Sequence, residues 1–317
     1  MVKNYQTKTN EQLTSIPYGT HPKVLLLGNG VNRTFGDDSW NRLLDCMSCE
    51  HYEAYESYNL ENLPYPLKVV TLTGDNVDEG VKLVADQFMP KEIPCEQKKL
   101  ISNFVDLSFD AILTTNYSYE IEKTIEPDFA CKMSRSSKYR KKTFSGKRLD
   151  DELGLYKYMS VKSQCSRFQI WHIHGEAARI KSMVIGHYYY GNLLSGIKGR
   201  MASLIKEKKA CDKYQSSFTP KSWIDYFMLG DVYIVGLGLD FSELDLWWLI
   251  NCKKRHNERI GGGSIYWFEP NLDKPANFAK RKLADAYTVK CFTENIEPNE
   301  YKKYYVSVSE QIKNIMM

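Results

Sequence analysis

The amino-acid sequence predicts an α/β fold, with a parallel β-sheet that helices cover on both faces. Apolar runs alternate with segments of helical periodicity, above all in the carboxyl-terminal two thirds of the chain, as in βαβ units. Several of these runs are almost continuously apolar, which is typical of parallel strands buried on both faces. Two of them end in glycine-rich turns that lead into helical patterns. These observations together favour an open sheet with crossover helices.

The same patterns give the bounds of the individual elements. We expect strands at residues 23–27, 109–114, 168–173, 231–235, 264–268 and 287–292. We expect helices at residues 40–49, 78–89, 95–107, 119–125, 191–210, 242–257, 276–286 and 299–316. Ser242 and Asp245 have the spacing of a capping box, so we expect them to begin the helix over residues 242–257.

Length and composition indicate one globular domain over residues 1–317. With 43% hydrophobic and 26% charged residues, the chain has enough apolar surface for a large core. Its formal charge of +4 is too small to indicate a nucleic-acid partner. The polar amino terminus lacks a signal-peptide pattern, and no stretch approaches the ~18 apolar residues of a membrane span. We therefore expect a cytoplasmic protein that does not contact a membrane.

The eight cysteines are expected to be reduced thiols in that compartment. Cys46 and Cys49 form the only C-x-x-C pair, whereas a structural zinc site normally has four ligands. No second pair completes the set, so the sequence predicts no zinc ribbon. We interpret the pair as two thiols on one face of the helix over residues 40–49.

One segment departs from the composition of the rest, and we interpret residues 131–165 as a basic insertion within the domain. Its stretch 132–148 contains eight lysines or arginines and no acidic residue. We expect a solvated surface loop or a small helical module. The functional alternative is a docking surface for an acidic partner or a phosphate-rich ligand. The eight basic residues are Lys132, Arg135, Lys138, Arg140, Lys141, Lys142, Lys147 and Arg148.

A glycine turn follows the first expected strand, at the edge where open α/β sheets bind their ligands. Gly28 and Gly30 would let backbone N–H groups approach a pyrophosphate, as in Rossmann-like folds. Arg33 occupies the place of the third glycine in the usual fingerprint, and a tight turn without a ligand explains the same residues. We therefore interpret this turn as a candidate phosphate cradle.

Two further strand ends offer groups for the adenosine half of a dinucleotide. Gly236 and Gly238 follow the strand over residues 231–235 and begin another strand–turn–helix unit. Glu269 and Asn271 follow the next expected strand and carry polar groups that suit a ribose.

Thr115 and Asn116 stand at the carboxyl end of the strand over residues 109–114. An asparagine there can hold a ribose hydroxyl or a water molecule with both its donor and its acceptor. The alternative is an asparagine that only caps the following helix.

A pair of histidines ends the strand over residues 168–173. The alternation of a strand places His172 and His174 on the same face, and a histidine next to Gly175 can act as a base with room for substrate. The pair is otherwise structural, or the H-x-H of a metal-dependent hydrolase.

Taken in this order, the motifs resemble the sirtuin family, and in particular the SIR2-like NADases of bacterial anti-phage defence. The resemblance covers residues from about 20 to 292 and depends on four short motifs. It implies a catalytic pair, Asn116 and His174, at the family's asparagine and histidine. It further implies NAD+ contacts at Gly28, Asn29, Gly30, Asn32, Trp40, Thr115, Gly236, Gly238, Glu269 and Asn271.

Three departures from the family pattern argue against protein deacylation. The four-cysteine zinc module of the deacylating sirtuins is missing, Asn41 replaces the loop arginine, and Ser118 replaces the aspartate that faces nicotinamide. The resemblance then implies an NAD+ hydrolase that releases nicotinamide and ADP-ribose without a metal. In that reaction Asn116 would position the ribose or a water molecule, and His174 would act as the general base.

An unrestrained NAD+ hydrolase would poison its own cell, so the resemblance also implies a partner. We expect a homo-oligomer, a separately encoded sensor or activator subunit, or both, and a Kongming-type defence system is one candidate setting. Two other functions remain open at this point. One is a catalytically silent nucleotide sensor, and the other is a metal-dependent hydrolase that uses His172 and His174.

Overall fold

The structure is a computed structural model, and it describes residues 13–36, 43, 44, 47, 63–73, 77–88, 92–129, 139–143, 153–164, 166–271, 275–297 and 299–317. These residues form an eight-stranded sheet in the order β3-β4-β5-β2-β1-β6-β7-β8. The strands are β1 (Lys23–Leu27), β2 (Ala111–Thr114), β3 (Arg140–Lys142), β4 (Lys157–Lys162), β5 (Arg167–His172), β6 (Asp231–Val235), β7 (Ile265–Asn271) and β8 (Lys290–Asn295).

The sheet is mixed, although most of it is parallel. The six strands from β5 to β8 in the sheet order all pair in parallel. At one edge, β3 pairs antiparallel with β4, and β4 pairs antiparallel with β5. The predicted α/β class is therefore confirmed, and the expectation of a purely parallel sheet is wrong at this edge.

Helices cover both faces of the sheet, as predicted. They are α1 (Tyr65–Thr73), α2 (Val77–Gln87), α3 (Cys95–Val105), α4 (Glu120–Ile125), α5 (His187–Lys213), α6 (Trp223–Leu229), α7 (Leu244–Ile260), α8 (Pro275–Ala286) and α9 (Tyr301–Met316). Side chains of α5 to α8 belong to one buried apolar cluster, and those of α1 to α4 and α9 belong to another. None of the helices within the described ranges is long and apolar enough to cross a membrane.

The central strand β1 shows why two cores form. Its successive side chains point to opposite faces, so Val24 and Leu26 join one cluster while Leu25 and Leu27 join the other. All four are fully or almost fully buried. A strand that is covered on both faces has no polar side, which explains the continuous apolar run in the sequence.

The basic insertion over residues 131–165 forms strands where the structure describes it. Both β3 and β4 lie inside these bounds, and residues 130–138, 144–152 and 165 are outside the described part. The described portion of the insertion thus extends the sheet and contains no helix.

The predicted capping box at Ser242 and Asp245 is wrong. Helix α7 begins at Leu244 after Glu243, with no side-chain cap, and the Ser242 hydroxyl donates to Asp240 instead. A capping box does begin α6, where the Ser222 hydroxyl accepts from the amide of Ile224. Asp245 has another partner, described below.

Most predicted elements correspond to observed ones within a few residues. β1 and β6 have the predicted bounds, whereas α1, α6 and the two strands of the insertion were not predicted. Of the expected helix over residues 40–49, only Leu43, Leu44 and Met47 are described, and they are helical. Cys46 and Cys49 lie outside the described residues.

The sheet order places a topological switch between β1 and β6. From β1 the chain adds β2 and later β5 on one side, then returns to add β6, β7 and β8 on the other. The connections leave the sheet in opposite directions at this point, which opens a crevice beyond the carboxyl ends of the strands. Open α/β sheets bind ligands in this crevice.

Candidate functional site

A cavity of about 540 Å³ lies at the carboxyl ends of the parallel strands. Its volume is in the usual range for a small-molecule site. Five neighbouring strands contribute to its wall through the segments that follow them or through their last residues. These include Asn29, Gly30 and Arg33 after β1, Thr115 to Ser118 after β2, His174 after β5, Gly236 to Asp240 and Glu243 after β6, and Phe268 to Pro270 of β7.

The two glycine turns pack directly against each other at the base of this cavity. The Gly28 amide donates to the carbonyl of Val235, and the Gly30 amide donates to that of Gly236 at 2.7 Å. A Cβ on Gly28 would lie 2.5 Å from the Gly236 oxygen, so a larger residue does not fit. These two N–H groups already make hydrogen bonds within the protein, so they are not available to a phosphate. The glycines instead allow the two turns to lie in close contact.

Asn32 does not line the cavity. Its side-chain amide donates to Glu120, its side-chain oxygen accepts from Gln97, and the residue is buried. Asn32 therefore ties the turn after β1 to α3 and α4. It belongs to a short 3₁₀ turn, Asn32–Thr34, which directly follows the glycine turn. Trp40, another expected NAD+ contact, lies outside the described residues.

Asn116 lies on the cavity wall with a free acceptor. It is 8% exposed, and its Oδ1 is buried without a hydrogen-bond partner in the described part of the chain. Its amide N–H donates to the Thr114 hydroxyl, which itself donates to the carbonyl of Leu27 at the end of β1. Tyr119 is the N-cap of α4 and makes no side-chain cap, so Asn116 is not a helix cap. Buried acceptors normally have partners, so this atom is available to accept a hydrogen bond from a molecule in the cavity.

His172 fixes the main chain of Asn116. Its Nδ1 lies 2.7 Å from the Asn116 carbonyl oxygen, and its Nε2 lies 2.8 Å from Oε1 of Glu122. Burial lowers the pKa of His172, but the charges of Glu122 and Glu176 and the hydrogen bonds to Glu122 and Asn116 raise it to about 9. The imidazolium form can donate from both ring nitrogens, which matches the two acceptors.

A buried ionic cluster supports His172 from the sheet edge. Arg140 of β3 makes two hydrogen bonds of 2.7 Å to the carboxylate of Glu176, which also accepts from the Tyr119 hydroxyl. Burial alone would raise the pKa of Glu176, but Arg140 and His172 lower it. Arg140 is thus an internal residue and not part of a free docking surface.

His174 faces a different set of groups. Its Nε2 lies 2.9 Å from Oδ2 of Asp245 and 3.9 Å from Oε2 of Glu243. The ring packs edge-on against Tyr190 of α5. Burial opposes a charge on His174, but Asp245 and then Glu243 raise its pKa above the usual value. The structure therefore gives His172 and His174 separate carboxylate partners instead of uniting them in one ligand set.

The expected ribose contacts lie in different surroundings. Glu269 is buried on the cavity wall, 3.6 Å from the ammonium of Lys280, and burial raises its pKa although Lys280 and Arg281 oppose this. Asn271 is not on the wall, because its side chain bonds to Asn295 of β8 and to Arg281. Glu269 is accordingly the residue of this pair that can meet a ligand.

The sequence did not predict Glu243 or Asp245 as site residues. Glu243 directly precedes α7, and Asp245 lies in its first turn. Both are buried beside His174, although Asp245 is 71 residues away from it in the chain. Tyr117 also lines the cavity, and its hydroxyl donates to the carbonyl of Val184. The one available signal was the acidic run after the second glycine turn, which matched a helix start equally well.

Together these features define an α/β protein with a cavity at the switch point of its sheet, and an asparagine, a histidine and acidic side chains line this cavity. No protein-family model matches the chain, and no curated protein matches it. The argument for function therefore depends on the geometry of the site.

Proposed function

We propose that the protein is an NAD+ hydrolase that cleaves the bond between nicotinamide and ribose. One observation carries this proposal. The free amide oxygen of Asn116 and the carboxylate-held imidazole of His174 lie in one cavity, which both glycine turns also line. The cavity occupies the switch point, where doubly wound α/β folds bind dinucleotides.

The chemistry needs few groups, and these residues supply them. As the bond to nicotinamide breaks, positive charge develops on the ribose, as in glycoside hydrolysis. The pyridinium leaves as neutral nicotinamide, so no general acid is required. Asn116 can hold a ribose hydroxyl or the attacking water, and its anchored main chain limits its freedom. Asp245 holds the imidazole ring of His174 in place, and His174 lies on the wall of the same cavity as Asn116.

The rest of the cavity suits the adenosine half. The turn from Gly236 to Gly238 leads into α7, and β7 follows with Glu269 near its end. An acidic residue at this point of a βαβ unit can accept from the hydroxyls of a ribose. Arg33 and Lys280 are basic residues on the cavity wall, and their positive charges suit the negative charges of a pyrophosphate.

We further propose that NAD+ depletion is the purpose of the reaction and that a partner restrains it. The candidates are an oligomer of the chain itself and a separately encoded sensor or activator subunit in an anti-phage system. NAD+ levels in cells expressing the chain alone, and then beside its genomic neighbours, test this idea. A fall in NAD+ only with a neighbour present identifies the activator. Unchanged NAD+ in every combination contradicts the proposal.

The enzymatic test measures nicotinamide and ADP-ribose released from NAD+ by the purified protein, with any activator so identified. We expect Asn116→Ala and His174→Ala each to lower kcat by at least about 10²-fold, because each removes a group placed at the reacting ribose. Matched controls are Asn314→Ala and His21→Ala, whose side chains are exposed and do not line the cavity. These should keep the full rate.

Two further arms separate the alternatives. Activity that survives EDTA excludes a metal-dependent hydrolase, whereas loss of activity in EDTA favours one. NAD+ binding without nicotinamide release would favour a silent nucleotide sensor and contradict the proposed function.

A further inference from the structure

Among the acidic residues that the structure describes on the cavity wall, Glu243 has the carboxylate with the fewest partners. Its side chain is 8% exposed, and Oε2 has no hydrogen-bond partner among the residues that the structure describes. A buried carboxylate oxygen normally accepts hydrogen bonds. An unpartnered one on a cavity wall is placed to accept a proton or a hydrogen bond from whatever fills the cavity.

His174 is already committed as a donor. Two carboxylates lie beside its Nε2, that of Asp245 at 2.9 Å and that of Glu243 at 3.9 Å. The negative charges of these two carboxylates stabilise the imidazolium form, which donates hydrogen bonds and cannot accept a proton. Asp245 is bonded to His174, so Glu243 is the group of these three that can accept a proton.

This inference rests on the proposed cleavage of NAD+. We propose that Glu243 is the general base of the reaction and that His174 serves as a charged hydrogen-bond donor. Glu243 takes a proton from water as the water oxygen bonds to C1′ of the nicotinamide ribose. The bond from C1′ to the nicotinamide nitrogen breaks, and its electron pair goes to that nitrogen. Glu243 then releases the proton to solvent, so NAD+ and water yield nicotinamide, ADP-ribose and one proton.

The surroundings of Glu243 keep its proton affinity near neutrality. The titratable groups that act on it or that it acts on come from four segments, and they are His174, Asp240, Asp245, Tyr117 and Tyr190. Burial raises the pKa of Glu243, the charge of His174 lowers it, and the two aspartates raise it, with a result of about 7. A base of this strength is matched to water activation in the cell.

The test compares Glu243→Gln with the wild-type protein in nicotinamide release. Glutamine keeps the shape but accepts no proton, so we expect kcat to fall by about 10²-fold or more while KM changes little. Wild-type kcat/KM should decline as the pH falls through about 7, because Glu243 becomes protonated, and the variant should lose this acid limb. The matched control is Glu258→Gln, an exposed glutamate of α7, the helix that Glu243 directly precedes, and this variant should behave as the wild type.

Chemical rescue separates a base from a structural carboxylate. In Glu243→Ala, added formate should restore part of the lost rate, since it can enter the vacated space and take the proton. Normal kcat in Glu243→Gln with an unchanged acid limb would overturn the inference and leave NAD+ cleavage standing. A slow variant without rescue and with the acid limb intact would also overturn it. Absence of nicotinamide release from the wild type would remove the proposed function and this inference together.

Discussion

His172 connects the ionic cluster to the site through one main-chain atom. Its imidazolium donates to the carbonyl of Asn116 on one side and to Glu122 on the other. The conformation of Asn116 thus depends on the charge of a residue that the sequence suggested to be either structural or a metal ligand. We expect His172→Ala to reduce NAD+ cleavage less than His174→Ala does, because His172 acts on the site only through this main chain.

The charge of His172 predicts a pH-dependent contribution to stability. Its pKa is raised from 6.5 in the unfolded chain to about 9 in the fold, so it stabilises the fold fully below pH 6.5. That contribution is lost as the pH rises through about 9 and is on the order of 3 kcal/mol at most, at about 1.4 kcal/mol per pKa unit. Urea unfolding of the wild type and of His172→Gln at several pH values measures it. A difference between the two proteins that stays constant from pH 6 to pH 10 would contradict the assignment.

Some site residues can be recognised from their immediate neighbours in the sequence, whereas others reach the site only through the fold. Asn116 and His174 follow apolar strands directly, so their place at the ligand edge could be inferred from the order of residues alone. Asp245 matters because the fold brings it to His174 from another strand–helix unit. No spacing in the chain encodes that contact, and the residue matched a local capping pattern instead.

At the scale of the elements, one buried lysine donates hydrogen bonds to the carbonyl groups at the end of a short helix. Helix α6 ends at Leu229 between the sheet and α7, and its last carbonyls have no partners within the helix. The ammonium of Lys253, on α7, donates to the carbonyls of Phe227, Met228 and Gly230 at 2.6 to 3.0 Å. Lys253 is almost fully buried, and these three bonds use all its donors.

We expect Lys253→Met to lower the free energy of unfolding by about 1–3 kcal/mol, because it leaves buried carbonyls without donors. Methionine is similar in length and apolar, so packing changes less than hydrogen bonding does. The control is Lys254→Met at the next, exposed position, which should stay within about 0.5 kcal/mol of the wild type. Urea unfolding monitored by circular dichroism measures both variants. Equal midpoints for the two would show that the three bonds contribute nothing.

The elements that could be predicted are those with a strong periodic signal. β1 and β6 are apolar runs with clear boundaries, and α3, α8 and α9 show an apolar stripe, so their bounds were found within two residues. β3 and β4 were missed because β3 consists of basic residues and exists through pairing with β4. α6 is only seven residues long and buried throughout, so it has no amphipathic pattern to detect.

At the scale of the whole molecule, the basic residues of the insertion fall into two groups, those that the structure describes and those outside the described part. Arg140 is bound to Glu176 inside the protein, so it belongs to the fold. Five of the eight basic residues lie outside the described part of the chain, and for them the prediction from sequence stands: Lys132, Arg135, Lys138, Lys147 and Arg148. Five positive charges in a short stretch repel one another unless an acidic partner is near.

We expect replacement of Lys132, Arg135, Lys138 and Lys147 by Ser or Gln to weaken association with a partner subunit, most visibly at raised salt. Basal NAD+ cleavage should stay unchanged, because none of the described residues on the cavity wall belongs to the insertion. Association is measured by light scattering or co-purification over a salt series. Arg140→Ser is the contrasting variant and should lower stability instead. Unchanged assembly and activation would identify the segment as a solvated loop.

The pairing of β1 has a consequence for how the chain folds. One edge of β1 hydrogen-bonds to β2, but the other edge pairs Lys23 with Asp231 and Leu27 with Val235. The centre of the sheet therefore closes only when segments about 200 residues apart in the chain meet, and such non-local pairing slows folding. A nascent chain that has not yet extruded β6 has neither the second glycine turn nor the acidic residues beside His174. If the protein cleaves NAD+ as proposed, a ribosome-bound or prematurely terminated chain is accordingly expected to be inert toward NAD+, which would spare the cell during synthesis.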